Sequence, residues 1–223
     1  MAELDGPRLE PRAGPARQLV VFLHGYGADG NDLIEIGKDW QGYLPDAAFI
    51  SPHAPRPCGQ APTGREWFPL TFRNPDERWN GVNAAAPGLN AFLDAELERR
   101  NLPPSALALV GFSQGTMMAL HVGLRRTVPP AAIAGYSGML IMPGDAMSEA
   151  FAAEIKSRPP VLLIHGDEDQ LIPVQAVNHS AQGLAALEVP VQWHISAGVG
   201  HGIDLEGLRQ GGEFLAKCFA ARK

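Results

Sequence analysis

Apolar residues fall along this chain in short continuous runs separated by amphipathic stretches. Gln18–Leu23 (QLVVFL) is almost wholly apolar over a strand length, the pattern of a strand covered on both faces. Asn31–Trp40 instead spaces Leu33, Ile36, Gly37 and Trp40 along one helical face. Ala47–Ile50 predicts a short strand. Further strands are predicted over Ala106–Phe112, Ala131–Tyr136, Val161–His165 and Val191–Ile195, and helices over Val82–Arg100, Gln114–Arg126, Pro173–Leu187 and Asp204–Ala221. Strands alternating with helices call for an α/β domain, a mostly parallel sheet with helices on both faces. In such sheets ligands bind beyond the carboxyl ends of the strands, and that is where chemistry is sought.

Two stretches break the pattern. Residues 1–17 are polar and proline-rich, and predict a loose arm or an edge hairpin ahead of one domain over 18–223. From Ser51 to Gly81 periodicity dissolves among six prolines, yet Trp67, Phe68, Phe72 and Trp79 lie there too. A loop this long is usually functional or disordered, and its aromatics favour packing over disorder.

Composition and charge narrow the function. At 223 residues one sizeable domain is expected. The net charge of −6 leaves no basic surplus for a phosphate backbone or an anionic membrane, so neither nucleic acid nor a membrane surface is the expected partner. Cys58 and Cys218 are far apart and suggest neither a disulfide framework nor a zinc site. The N-terminus has acidic residues where a signal peptide needs a basic start, and no stretch makes a good membrane span, so a cytoplasmic protein without stable membrane insertion is expected.

Three strand ends carry three catalytic residue types. After ALALV comes Gly111-Phe112-Ser113-Gln114-Gly115, a G-x-S-x-G. A serine in a sharp strand-to-helix turn has strained backbone angles, and its neighbours two residues away must be small. After VLLIH comes Gly166-Asp167-Glu168-Asp169. A carboxylate here can orient an imidazole and stabilise its cation; Asp169 is preferred, with Asp167 as a turn or capping residue. After VQWHI comes a loop holding His201 between Gly200 and Gly202, a setting suited to a general base and poorly explained by core packing. His24 and His165, each before a glycine at a strand end, suit structural hydrogen bonding. No two histidines show metal-ligand spacing with an acid partner. The order Ser113, Asp169, His201 is that of an α/β-hydrolase.

An oxyanion hole completes such a site. One donor is the backbone N–H of Gln114, and the other comes from a loop after an early strand, where the Tyr26 N–H is the candidate. Gly25-Tyr26-Gly27-Ala28-Asp29-Gly30 also spells the dinucleotide fingerprint G-x-G-x-x-G. That motif needs an acid at the end of the second strand, and Asp46 stands before that strand instead, so a nucleotide cofactor is not expected.

The segments LHGYGADGNDL, SPHAP, GFSQG, HGDEDQLIP and GHGI together resemble the carboxylesterase/phospholipase family of α/β-hydrolases, which includes acyl-protein thioesterases. They span residues 17–220, and GYGADGND is most similar to bacterial members. Thr116 departs from the glycine many relatives have after GFSQG. The resemblance implies a single-domain serine esterase without cofactor or metal, acting on a small-molecule ester or thioester, or on a lysophospholipid, as a monomer or homodimer. Ser113, Asp169 and His201 become the triad, Tyr26 and Gln114 the oxyanion donors. Trp67 matches a family tryptophan flanking the acyl site. Trp67, Phe68, Phe72 and Met117 either line an apolar acyl groove or pack the long loop onto the domain. The expected reaction is hydrolysis of short- to medium-chain carboxylic esters, with thioesters or lysophospholipids as the alternative. A binding protein on the same fold would usually lack a triad residue.

Overall fold

A computed structural model describes residues 4–12, 14–71, 74, 76–144 and 149–222. Nine strands are described: β1 (Arg8–Leu9), β2 (Gln18–Leu23), β3 (Ala47–Ile50), β4 (Arg56–Pro57), β5 (Arg65–Glu66), β6 (Leu107–Phe112), β7 (Ala132–Tyr136), β8 (Val161–Gly166) and β9 (Val191–Ser196). The helices are α1 (Asn31–Trp40), α2 (Glu77–Arg99), α3 (Gln114–Gly123), α4 (Glu149–Glu154), α5 (Gln175–Ala186) and α6 (Leu205–Ala220). Seven strands form one sheet in the order β1-β3-β2-β6-β7-β8-β9. All its pairings are parallel except β1 with β3, which is antiparallel.

The continuous apolar runs are explained by the two faces. Leu19, Val21 and Leu23 of β2 point into one core layer with Leu107, Leu109, Ile133 and Leu163, beneath α2, α3 and α5. Val20 and Phe22 point into the other with Val110, Tyr136, Ile164 and Trp40, beneath α1 and α6. Both sides of each central strand are thus buried, and period-two alternation gives way to unbroken hydrophobicity.

The long loop is more ordered than its prolines suggest. Within it β4 and β5 form a small antiparallel hairpin. Its helix, α2, starts at Glu77, five residues before the expected Val82, and accommodates Pro87 in its interior. The N-terminal segment lies along the sheet edge: Ser51 N–H donates to Pro7 O, and Arg8 forms a 2.9 Å ion pair with the buried Glu96. Among the described residues no helix is long and apolar enough to cross a membrane.

Candidate active site

Ser113 stands at the junction of β6 and α3 with φ 53° and ψ −115°, a left-handed conformation costly for a residue with a Cβ. The surrounding packing imposes it. A Cβ on Gly115 would lie 1.8 Å from Leu23 O, and one on Gly111 2.4 Å from the Gly115 backbone. The two glycines therefore let α3 press its first turn directly on the ends of β2 and β6. The Ser113 N–H donates to Tyr136 O at 2.8 Å. Thr116, the departure noted above, is fully buried here, with its hydroxyl 2.8 Å from Gly111 O and 2.9 Å from Tyr136 O. It ties the turn to the ends of β6 and β7.

Asp169 and His201 are brought together. His201 Nδ1 donates to Asp169 Oδ2 at 2.7 Å, since a carboxylate only accepts. That tautomer leaves His201 Nε2 as a proton acceptor. The other oxygen, Asp169 Oδ1, accepts the N–H groups of Leu171 and Ile172, both at 2.9 Å. Burial pushes the Asp169 carboxyl up, but the Ile172, His201 and Leu171 hydrogen bonds outweigh it and hold the pKa below the ordinary value. Asp167 does something else: its Oδ1 accepts Gly198 N–H at 2.7 Å and joins the loop after β8 to the loop after β9. The His201 ring lies 5.0 Å from the Phe112 ring, which places it over the residue preceding Ser113.

The proposed oxyanion donors lie on the expected segments. Gln114 is the first residue of α3, and the first amides of a helix have no acceptor within it. Tyr26 sits in the Gly25–Gly27 loop after β2, and a Cβ on Gly25 would contact the Phe112 ring at 3.0 Å and Ser113 Cβ at 3.4 Å. The β4–β5 hairpin holds this loop. Gly27 N–H donates to Arg65 O at 2.9 Å and Arg65 N–H to Ala28 O at 2.7 Å. Burial, with Cys58 and Glu66 beside the hydroxyl, pushes the Tyr26 phenol above its ordinary range. Gly64 approaches so closely that a Cβ would lie 2.0 Å from Gly27 O.

The aromatic residues of the long loop are buried. Trp67, Phe68 and Met117 all belong to the core layer under α2 and α3. Trp67 Nε1 donates to His24 O at 3.0 Å, and the Phe68 ring packs on Gly81. Trp67 and Phe68 line a cavity of about 310 Å³ with Pro55, Ala85 and Leu89; Met117 and Ser113 are not in its wall. Phe72 lies outside the described residues. Two connections were not legible in the sequence. The Gln114 side chain clamps the loop backbone, accepting Trp67 N–H at 2.9 Å and donating to Phe68 O at 2.8 Å. Ser137, after β7, donates to Gly202 O at 3.1 Å beside His201. Among the described residues no group of three or more His, Cys, Asp or Glu could hold a metal ion.

A mostly parallel sheet with a strained serine turn and an Asp–His pair at neighbouring strand ends defines the protein as an α/β-hydrolase. Residues 4–219 match the model of the Phospholipase/Carboxylesterase family, and the chain belongs to that family. It is accordingly an enzyme of the serine-hydrolase class. It is 27% identical to "Acyl-protein thioesterase 1" of Gibberella zeae over 95% of this chain and 94% of that protein. It is 28% identical to "Esterase YpfH" of Escherichia coli over 87% of this chain and 80% of that one. Among solved structures, esterase PE8 superposes with a TM-score of 0.90 at 43% identity, covering 97% of this chain and all of the other.

Proposed function

We propose that the protein is a serine carboxylesterase acting on short- to medium-chain carboxylic esters through Ser113, His201 and Asp169. The observation that carries this reading is the 2.7 Å His201–Asp169 hydrogen bond, with the His201 ring against Phe112, the residue before the left-handed Ser113. Ser113 Oγ attacks the ester carbonyl while His201 Nε2 takes its proton. Asp169 keeps the ring in that tautomer and stabilises the imidazolium. The amides of Tyr26 and Gln114 hold the developing oxyanion, a contribution of a few kcal/mol to the barrier. His201 then protonates the departing alcohol, leaving an acyl-Ser113 ester. Water, deprotonated by His201, repeats the attack and releases the acid.

Met117 lies one helical turn beyond Ser113 on α3, and Trp67 is fixed to the adjacent Gln114; we assign both to the floor beneath the acyl chain. A thioester is the second reading, favoured by the thioesterase relative, because the same oxyanion and base serve a thiol leaving group. The test is hydrolysis of p-nitrophenyl butyrate and of a matched butyryl thioester by wild type and Ser113→Ala. Turnover present in the first and absent in a folded variant is expected. Full turnover in the variant overturns the assignment, and the ratio of the two wild-type rates ranks ester against thioester.

A further inference from the structure

Among the described residues, the non-glycine residues with a positive φ are Asn101, Ser113, Ser137 and Glu188. Asn101 and Glu188 lie just past the C-caps of α2 and α5, where a left-handed residue is an ordinary helix stop. Ser113 and Ser137 instead follow the neighbouring strands β6 and β7. The turn at Ser113 carries the nucleophile. Ser137 has φ 44° and is fully buried, and it takes no part in the proton transfers at Ser113 and His201. Glycine would adopt that backbone without strain, so a serine held there points to a use for its hydroxyl.

The segment Tyr136–Gly138 touches both the nucleophile turn and the histidine loop. Tyr136 O accepts the Ser113 N–H at 2.8 Å, and a Cβ on Gly138 would lie 2.8 Å from Ser113 O. Between them, the Ser137 N–H donates to Ile164 O at 2.9 Å and the Ser137 hydroxyl donates to Gly202 O at 3.1 Å. One residue thus joins the strand end that holds the nucleophile turn to the residue after His201. The first half of the His201 loop is tied elsewhere, by Gly198 N–H to Asp167 Oδ1 at 2.7 Å and by Glu168 N–H to Val199 O at 3.0 Å. Packing adds little beyond that. A Cβ on Gly200 would meet only Glu168 O, at 3.9 Å, and one on Gly202 would meet nothing within 4 Å. With glycine on both sides of His201 the main chain has wide freedom there, and the Gly202 carbonyl is where the far side of the loop is pinned.

We propose that Ser137 is a positioning residue for the reaction: its hydroxyl pins the Gly202 carbonyl and so holds His201 where it faces Ser113. The inference rests on the Ser113–His201–Asp169 reading above. The test separates the hydroxyl from the strain. Ser137→Ala removes the hydroxyl and keeps the strained backbone, whereas Ser137→Gly removes both. Each is expected to lower kcat on p-nitrophenyl butyrate by roughly 10- to 100-fold with little change in KM, because a misplaced base slows the chemical step. Ser137→Gly should nevertheless melt at a higher temperature than Ser137→Ala, since glycine takes the left-handed region freely. Stability and turnover then move apart.

The low-field proton resonance of the His201 Nδ1–H, identified by its absence in His201→Gln, should shift or broaden in both variants. Ser137→Cys keeps a weak donor and should recover part of kcat. A purely structural role would make kcat follow the melting temperature and leave that resonance unmoved in a folded variant. Wild-type kcat and resonance in folded Ser137→Ala overturn the proposal, as does wild-type kcat in Ser137→Gly. Should Ser137→Ala not fold, Ser137→Gly carries the test alone, since glycine relieves the backbone there. Ser113→Ala run alongside separates the two ideas. Turnover in Ser113→Ala removes the catalytic reading itself, whereas its absence there combined with unchanged Ser137→Gly removes the positioning role alone.

Discussion

The side-chain carbonyl of Gln114 accepts the main-chain N–H of Trp67 at 2.9 Å, and its amide nitrogen donates to Phe68 O at 2.8 Å. One buried side chain thus closes a two-bond clamp on the backbone of the long loop, from the residue that follows Ser113. The loop and the oxyanion segment are then parts of one assembly, because Trp67 Nε1 also donates to His24 O and the β4–β5 hairpin pairs with Gly27 and Ala28. Gln114→Leu leaves a buried N–H and a buried C=O without partners. Each costs about 1–3 kcal/mol, so thermal unfolding should show a loss of several kcal/mol. Limited proteolysis should also begin within the 55–71 segment. An unchanged melting temperature and proteolytic pattern would refute the clamp.

The sheet and its helices were legible because their signals are local. The unbroken run of Gln18–Leu23 reports a strand buried on both faces, and the observed β2 occupies those residues. The order and strand-end placement of Ser113, Asp169 and His201 were legible for the same reason: a nucleophile turn needs its glycines nearby in sequence. The long loop obscured its structure because its order comes from partners distant in the chain. Gln114 binds Trp67 from 47 residues away, and Gly64 packs on Gly27. Strands of two residues such as β1 and β4 carry no periodicity to read. His165 is expected to make structural hydrogen bonds, but the sequence does not reveal that its partner is the Ile172 carbonyl, in the turn that carries Asp169.

The close approach of Gly115 to β2 predicts a sharp contrast between glycines. Gly115→Ala places a Cβ 1.8 Å from Leu23 O, a backbone atom that moves only if β2 and α3 separate. A loss of about 3 kcal/mol or more is expected in chemical denaturation, together with loss of turnover as the Ser113 turn relaxes. Gly59→Ala meets nothing within 4 Å and should stay within about 0.5 kcal/mol of wild type. Equal stabilities for the two variants would contradict this packing.

The donors around Asp169 decide what an isosteric amide would do. In Asp169→Asn the oxygen is retained by the Leu171 and Ile172 amides, so the NH2 group faces His201 Nδ1. A donor then opposes the Nδ1–H, and His201 is driven to the tautomer with its proton on Nε2. That nitrogen cannot accept the Ser113 proton. A fall in kcat of about ten-thousandfold is expected, with labelling of Ser113 by a fluorophosphonate slowed in parallel. A fall of less than about tenfold would show that Asp169 does not set the tautomer.

Two histidines away from the reaction set the acid limit of stability. His24 is fully buried; Nδ1 donates to Gly25 O at 2.8 Å and Nε2 accepts Ala54 N–H at 2.9 Å. Both nitrogens are committed, and a second proton would break the Ala54 bond. Burial lowers its pKa to about 4. His121, buried on α3 with its ring edge-on to Trp79, is lowered to about 3 by burial and then by the Arg125 charge. In the unfolded chain both return to about 6.5. Because the folded values are depressed, the unfolded chain binds more protons below about pH 6.5, and stability falls as the pH drops from there towards 4. Near pH 5 the two sites together approach a slope of about 2.7 kcal/mol per pH unit. The depressed Asp169 carboxylate acts in the same direction but at lower pH, as protonation passes through its folded value. His121→Phe removes one of the two titrations and should roughly halve the slope of the denaturation midpoint between about pH 6 and pH 5. A wild-type slope in His121→Phe would mean that this imidazole is already charged in the fold, or that the packing around Trp79 opens before it titrates.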